Sequence, residues 1–179
     1  MIDYEALRQQ GQQAGFTYVA PLKVSTIQLL PEVRDMCATN SCGAYGKKWS
    51  CPPGCGTLEE CRERLQKYTA GILVQTVGTL EDEMDYESMQ ETNQRHKAAF
   101  DAFYAQLRPQ FPGMLAAGTG GCTQCKTCTY PDQPCRFPEK MVSSMEAYGM
   151  LVSQVCKDND LPYYYGKCTI AYTACFLLE

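Results

Sequence analysis

The stretch GILVQTVG, Gly71 to Gly78, is apolar and rich in β-branched side chains. Such a run predicts a buried strand, which Gly78 ends. It follows directly on TLEECRERLQKYTAG, residues 57–71, where Thr57 and Glu60 have the spacing of a helix capping box. We therefore predict a helix that stops at Gly71 and leads straight into the strand.

Helices and strands alternate along the rest of the chain. Strands are predicted within 16–24, 113–121 and 168–179, and helices within 3–15, 81–111 and 138–160. Alternation of this kind is typical of helices packed on a sheet. The sequence predicts one α/β (α+β) domain over residues 1–179, a mixed β-sheet covered by helices, with cysteine-rich metal-binding loops at the junctions.

Composition narrows the classes of function. The net charge of −4 gives no basic excess to neutralise phosphates, so nucleic acid is not expected as a partner. No apolar run approaches the roughly 20 residues of a membrane span, and the polar N-terminus shows no signal peptide. We expect a cytoplasmic protein. Its 12 cysteines could form disulfides, but in a chain without an export signal reduced, metal-binding thiols are the better interpretation.

The sequence GGCTQCKTCTYPDQPCRFPEKM, Gly120 to Met141, contains the more specific cysteine group, Cys122, Cys125, Cys128 and Cys135. The first three are each separated by two residues, as in bacterial ferredoxins, which hold [4Fe–4S] clusters. The spacing differs from that of ferredoxins at the fourth cysteine, because six residues separate Cys128 from Cys135. A zinc site with one spare cysteine is the alternative.

A glycine-rich turn precedes this group. Gly118, Gly120 and Gly121 would let the backbone approach a cofactor closely and direct N–H groups towards cluster sulfides. We predict that these glycines help to bind the cofactor.

The other cysteine group has five members for four ligand positions: Cys37, Cys42, Cys51, Cys55 and Cys61. We favour Cys61 over Cys55 as the fourth ligand because Cys61 lies in the first turns of a predicted helix, where the helix dipole stabilises a thiolate. Cys55 remains the alternative, and zinc remains possible at this group.

Other candidate residues have structural interpretations. His96, the single histidine, is predicted to be a surface or boundary residue of the long helix. Cys156, Cys168 and Cys175 are predicted to be small buried apolar residues. No dinucleotide fingerprint, phosphate loop or catalytic triad order is present in the sequence, so no catalytic residue is assigned.

A resemblance to a known family rests on two stretches that contain the cysteine groups, CATNSCGAYGKKWSCPP (37–53) and GGCTQCKTCTYPDQPCRFPEKMVSSMEAYGM (120–150). The chain resembles a cysteine-rich family of predicted metal-binding proteins of unknown function, found mostly in anaerobes, over nearly its whole length. The resemblance implies metal or iron–sulfur binding and no particular reaction. The ligands it implies are Cys37, Cys42, Cys51, Cys122, Cys125, Cys128 and Cys135, with the fourth ligand of the first group open.

The function that we predict is an iron–sulfur protein with two [4Fe–4S] clusters that passes single electrons to a redox partner protein under reducing conditions. Two alternatives come from other classes. One is an enzyme in which a cluster keeps an iron open for substrate. The other is an adapter whose zinc ions only stabilise loops.

Overall fold

The computed structural model describes residues 2–178, and a five-stranded mixed sheet lies at its centre. The strand order is β1–β2–β5–β3–β4, antiparallel except for the β3–β4 pair. The edge strands are β1, which contains a proline, and β4, which has two residues. The strands are β1 (Tyr18–Lys23), β2 (Ala70–Thr79), β3 (Leu115–Gly118), β4 (Ser143–Ser144) and β5 (Thr169–Leu178).

Three of the five described helices begin at a side chain, Asp3, Thr57 or Asp85, that accepts a hydrogen bond from a backbone N–H group in the first turn. Asp3 accepts from Ala6 N at 3.0 Å, and Thr57 and Glu60 form the predicted capping box. The helices are α1 (Tyr4–Ala14), α2 (Pro31–Ala38), α3 (Leu58–Leu65), α4 (Tyr86–Leu107) and α5 (Val152–Asp158), with 3-10 turns at Val24–Thr26, Pro138–Lys140 and Glu146–Tyr148.

Both faces of the central strands are buried. In β2, Ile72 and Val74 face one core, where Phe100 and Phe103 of α4 pack. The neighbouring Leu73 faces the other core, which includes Cys61 of α3. A strand covered on both faces has to be apolar almost throughout, which is why the sequence of β2 is so easily recognised. The predicted α+β class, a mixed sheet covered by helices, is confirmed.

The prediction of one long helix over residues 138–160 is wrong. Only Val152–Asp158 is helical there, and the preceding residues form two 3-10 turns and strand β4. Ser143 and Ser144 pair with β3, and Gly149 adopts a φ of +90° that ends the second turn. A Cβ at Gly149 would lie 2.7 Å from Leu58 Cδ1, so this close approach needs glycine.

Two of the helices also differ from what the sequence predicts. Helix α2 was not predicted, although Pro31 occupies its first turn. Helix α3 ends at Leu65 rather than Gly71, because Ala70 already pairs in the sheet with Lys23 and Leu178.

His96 is buried, with 1% of its surface exposed, rather than a surface or boundary residue. It lies four and seven residues before Phe100 and Phe103, on the apolar stripe of α4. Of the trailing cysteines, Cys156 and Cys175 are fully buried as predicted, whereas Cys168 is partly exposed with a φ of +56°. Among the described helices, none is both long and apolar enough to cross a membrane.

Candidate metal centre

The second cysteine group lies in a long loop between β3 and the 3-10 turn Pro138–Lys140. Within the described chain, residues 119–137 form no helix or strand. Loops of this length without regular structure are uncommon in compact domains and usually functional. The four cysteines of the loop are partly exposed and line one cavity, whose apolar walls include Trp49, Phe137 and Met141: Cys122, Cys125, Cys128 and Cys135.

Few hydrogen bonds within the loop fix its shape. Arg136 donates to the carbonyl of Thr127 at 2.9 Å, and the Thr129 hydroxyl donates to the carbonyl of Pro134 at 2.8 Å. These two contacts close the segment around Cys128 and Cys135. The loop therefore depends on other parts of the chain for most of its support.

Three consecutive residues of the first cysteine segment supply that support. Lys48 Nζ donates to the carbonyl of Cys122 at 2.8 Å, and Ser50 Oγ accepts from the Cys122 N–H at 3.0 Å. The Trp49 indole N–H donates to the carbonyl of Gln133 at 3.0 Å, and its ring packs edge-on against Tyr130. Both ends of the second loop are thus bound to residues 48–50.

The pKa of the Cys128 thiol is lowered by its surroundings. Its limited burial acts to raise the pKa, but backbone N–H groups of Trp49, Tyr130 and Thr129 donate to the sulfur and, with Lys48, lower the pKa below the usual value. Hydrogen bonds to a thiolate favour the charged form, which is the form that binds metal.

The glycines before the loop have different structural roles. Gly118 belongs to β3, and its carbonyl accepts from Met145 N at 3.1 Å. Gly120 has a φ of +66°, a conformation that other residues rarely adopt. At Gly121, a Cβ would lie 3.2 Å from Cys51 Sγ, so glycine lets the two cysteine groups approach each other. That their N–H groups face a cofactor stays a prediction.

The first cysteine group is built into helices more than the sequence indicated. Cys37 lies in α2 and Cys61 in α3, while the other three lie in the segment between these helices. Cys51 interacts with other cysteines of both groups. A thiolate at Cys51 would raise the pKa of Cys37 and Cys55, and thiolates at Cys42 and Cys122 would raise the pKa of Cys51. Burial raises the pKa of both Cys37 and Cys51. Exposure decreases from Cys42, which is exposed, through Cys37, which is partly buried, to the buried Cys51, Cys55 and Cys61.

Cys55 and Cys61, the two candidates for the fourth ligand, form a pair. The hydrogen bond between their thiols lowers the pKa of Cys61, with help from the charges of Arg34 and Arg64, and raises the pKa of Cys55. Cys61 is fully buried in the core, and Cys55 is 5% exposed. This asymmetry makes Cys61 the thiol of the pair that ionises more readily.

Arg34 of α2 joins the parts of the first group. Its guanidinium donates to Cys55 Sγ at 3.3 Å and to the carbonyls of Gly56 and Ala147. A positive charge at this position compensates thiolate charge close by. Nothing in the sequence identified Arg34, because its partners are separated from it by 21 to 113 residues. The role of Lys48 likewise has no local sequence signal, because Cys122, whose carbonyl it binds, lies 74 residues away.

The sulfurs do not converge on a single ion. Across residues 2–178, no three cysteine, histidine or acidic side chains are placed closely enough to hold one metal ion. A lone zinc ion needs four ligands at about 2.3 Å in a tetrahedron. The choice between a single ion and a polynuclear cluster, whose metal atoms lie apart, stays a prediction. The individual ligand assignments stay predictions.

An α+β domain with two adjoining groups of cysteines, one in the core and one in a supported loop, belongs to the class of metal-binding proteins. The chain is a member of the family described as predicted metal-binding protein (DUF2284), whose model matches residues 20–178. Comparison with curated proteins and with solved structures found no significant match. The family confirms the resemblance given by the two cysteine stretches, and it establishes metal binding as the expected property without naming the metal.

Proposed function

We propose that the protein binds two [4Fe–4S] clusters, one at each cysteine group, and transfers single electrons to a redox partner protein. The observation that carries the proposal is the cavity shared by Cys122, Cys125, Cys128 and Cys135, whose thiols surround a common space without converging on one point. Their spacing of two residues between successive members is that of cluster-binding loops.

The first cluster would be held by Cys37, Cys42 and Cys51, with Cys61 as fourth ligand or Cys55 in its place. A bound [4Fe–4S] cluster supplies a site that gains and loses one electron. The protein sets the environment: Arg34 places positive charge at the first group, and backbone N–H groups face Cys128 in the second. Such groups favour the reduced, more negative state and raise the potential.

The contact between Cys51 and Gly121 supports transfer between the two groups. Because a Cβ at Gly121 would lie 3.2 Å from Cys51 Sγ, little space separates the two ligand sets. Close approach is what a relay requires, since electrons must pass between the clusters. The first group, with three of its five cysteines buried, would store the electron, and the partly exposed second group would exchange it with the partner.

The partner would dock on the second loop. Lys126 and Arg136 are exposed there, and Phe137 is 39% exposed beside them. A positively charged rim around an apolar side chain fits a partner with an acidic face. Such a protein would act in the cytoplasm of cells living under reducing conditions, where both clusters remain intact.

The test is a metal analysis of protein purified without oxygen. Iron, zinc and acid-labile sulfide are measured per chain, and a visible spectrum is recorded before and after dithionite. We expect about eight irons, matching sulfide and a broad absorption band that bleaches on reduction. A colourless protein with about two zincs would overturn the proposal and leave the zinc-stabilised adapter.

A further inference from the structure

A cavity of about 390 Å³ lies on the other side of the first cysteine group. It is bounded by α3, the end of α4, strand β3 and residues 138–143, and Gly54 and Cys55 form part of its wall. Its volume falls in the range of small-molecule sites in proteins, about 300–1,000 Å³. Neither cysteine group needs this space for a metal, because only Cys55 among the cysteines lines it.

Two arginines bring positive charge to the cavity from different helices. Arg64 of α3 donates to the carbonyl of Cys55 at 2.8 Å, and Arg108, directly after α4, donates to Tyr104 Oη at 2.7 Å. Within residues 2–178, neither guanidinium forms a salt bridge with a carboxylate. Glu60 lies near Arg64, but its carboxylate accepts the Thr57 N–H in the capping box of α3.

The remaining walls are suited to an organic molecule. Glu139 is the single acidic residue among those that line the cavity, so the lining carries net positive charge. Met114, Met141 and Val142 give an apolar surface. The phenol of Tyr148 is hydrogen-bonded to Arg64, and the Tyr104 hydroxyl donates to the carbonyl of Glu139 at 3.0 Å. Hydrogen bonds to neutral groups thus hold the arginines in place. The charge of Glu60 acts on Arg64 from outside the lining of the cavity, but within residues 2–178 no carboxylate forms a salt bridge with either guanidinium.

We propose that this cavity binds a small organic anion, a carboxylate or a phosphate monoester on an apolar body, with its charged end between Arg64 and Arg108. Guanidinium groups recognise both kinds of anion through paired N–H donors. The apolar body would lie against Met114 and Met141. Because Cys55 lines the same cavity, the bound anion would lie beside the first cysteine group, within reach of its redox chemistry. This goes beyond electron transfer and requires no particular metal.

The test uses the full chain as purified with its metal, titrated by calorimetry with benzoate, phenyl phosphate and benzyl alcohol. The first two carry an anionic group on a ring, and the third is a neutral control. We expect at least one of the anions to bind at least about tenfold more tightly than benzyl alcohol. The tighter anion identifies the chemical class. Equal binding of all three, or no binding of either anion, would overturn the proposal.

Variants connect the affinity to the cavity. Arg108→Gln should weaken binding of the preferred anion at least about tenfold, and Arg64→Gln should do the same. The matched control is Arg62→Gln, two residues from Arg64 on the same helix, because Arg62 is paired with Glu59 and does not line this cavity. Unchanged affinity in Arg108→Gln would refute the site.

The metal content of each preparation is measured in parallel. Arg64→Gln removes a hydrogen bond to Cys55, so its iron content is compared with that of Arg108→Gln, which touches no cysteine. If a variant loses anion binding but keeps its iron content, the substitution affects this cavity alone. If a variant loses iron, the substitution affects the metal centre.

Discussion

The two cysteine groups are neighbours, yet they are built in different ways. The first group is part of the fold: Cys61 is fully buried, and Arg34 joins Cys55 to the carbonyls of Gly56 and Ala147. The second group sits in a loop of irregular structure, held mainly by Lys48, Trp49 and Ser50 of the first segment.

The difference indicates an order of dependence. Residues 48–50 support the second loop, while the second loop contributes little to the buried core around Cys61. Packing can therefore shape the first site without metal, whereas the second loop would gain more stability from a bound metal. Changes at the second group should stay local, and changes at the first should spread.

Replacing Cys125 by serine tests whether a change at the second group stays local. Because Cys125 belongs only to the second loop, Cys125→Ser should remove about half of the iron and sulfide and leave the other cluster intact. Metal analysis and the spectrum of the reduced protein measure the outcome. Cys168→Ser, at a partly exposed cysteine outside both groups, should keep all the iron. If Cys125→Ser keeps both clusters, the ligand assignment is wrong.

The paired thiols of the first group allow a direct choice of ligand. Cys61 ionises more readily than Cys55, so Cys61→Ser should lose the first cluster while Cys55→Ser retains it. Each serine variant is the matched control for the other, since both residues are buried and hydrogen-bonded together. The opposite pattern of iron loss would identify Cys55 as the ligand.

Acid should weaken the core through His96. Burial, with the nearby charge of Lys97, lowers the pKa of His96 to about 4, and its Nδ1 lies 3.0 Å from Thr76 Oγ1. Because this pKa is lower than the unfolded value of about 6.5, the unfolded chain binds more protons between these values. The free energy of unfolding should therefore fall by about 3 kcal/mol as pH drops from about 6.5 to 4.

Chemical denaturation at several pH values measures this effect, and His96→Gln provides the comparison. The variant should lack the part of the pH dependence that His96 contributes, while the carboxylates titrate as before. Parallel curves for the two proteins would show that His96 is not held neutral in the folded state.

The smallest expected effect is the loss of stability when the positive charge of Arg34, which contacts the first cysteine group, is removed. Arg34→Gln removes charge-assisted hydrogen bonds, and we expect the free energy of unfolding to fall by about 2 kcal/mol. Arg62→Gln, at an exposed pair with Glu59, should change it by less than about 1 kcal/mol. Urea titration distinguishes the two. Equal effects would mean that Arg34 does not stabilise the first group.

Sequence patterns predicted the parts of the fold in which local preference and burial agree. Strand β2 and strand β5 could be recognised because apolar residues fill both faces, and the capping box located the start of α3. Residues 138–160 misled the prediction because pairing of Ser143 with β3 and the left-handed Gly149 outweighed the helical pattern. Tertiary contacts of this kind leave little local signal.

The sequence indicates which cysteines are candidate ligands, an assignment that stays a prediction, but it does not indicate how they are arranged. Cysteine spacing selected the residues of both groups, since a cluster loop must present several thiols from one short segment. The contact of Cys51 with Gly121, the role of Arg34 and the support given by Ser50 join residues far apart in the chain. Such contacts exist only after folding.

The two edges of the sheet have a consequence for the chain before it acquires metal. An edge strand with free N–H and C=O groups invites pairing with another molecule. Here β1 carries Pro21, which has no N–H to offer, and ends at the charged Lys23, while β4 offers only two residues. A chain without bound metal thus presents little template for aggregation at the two edges of its sheet.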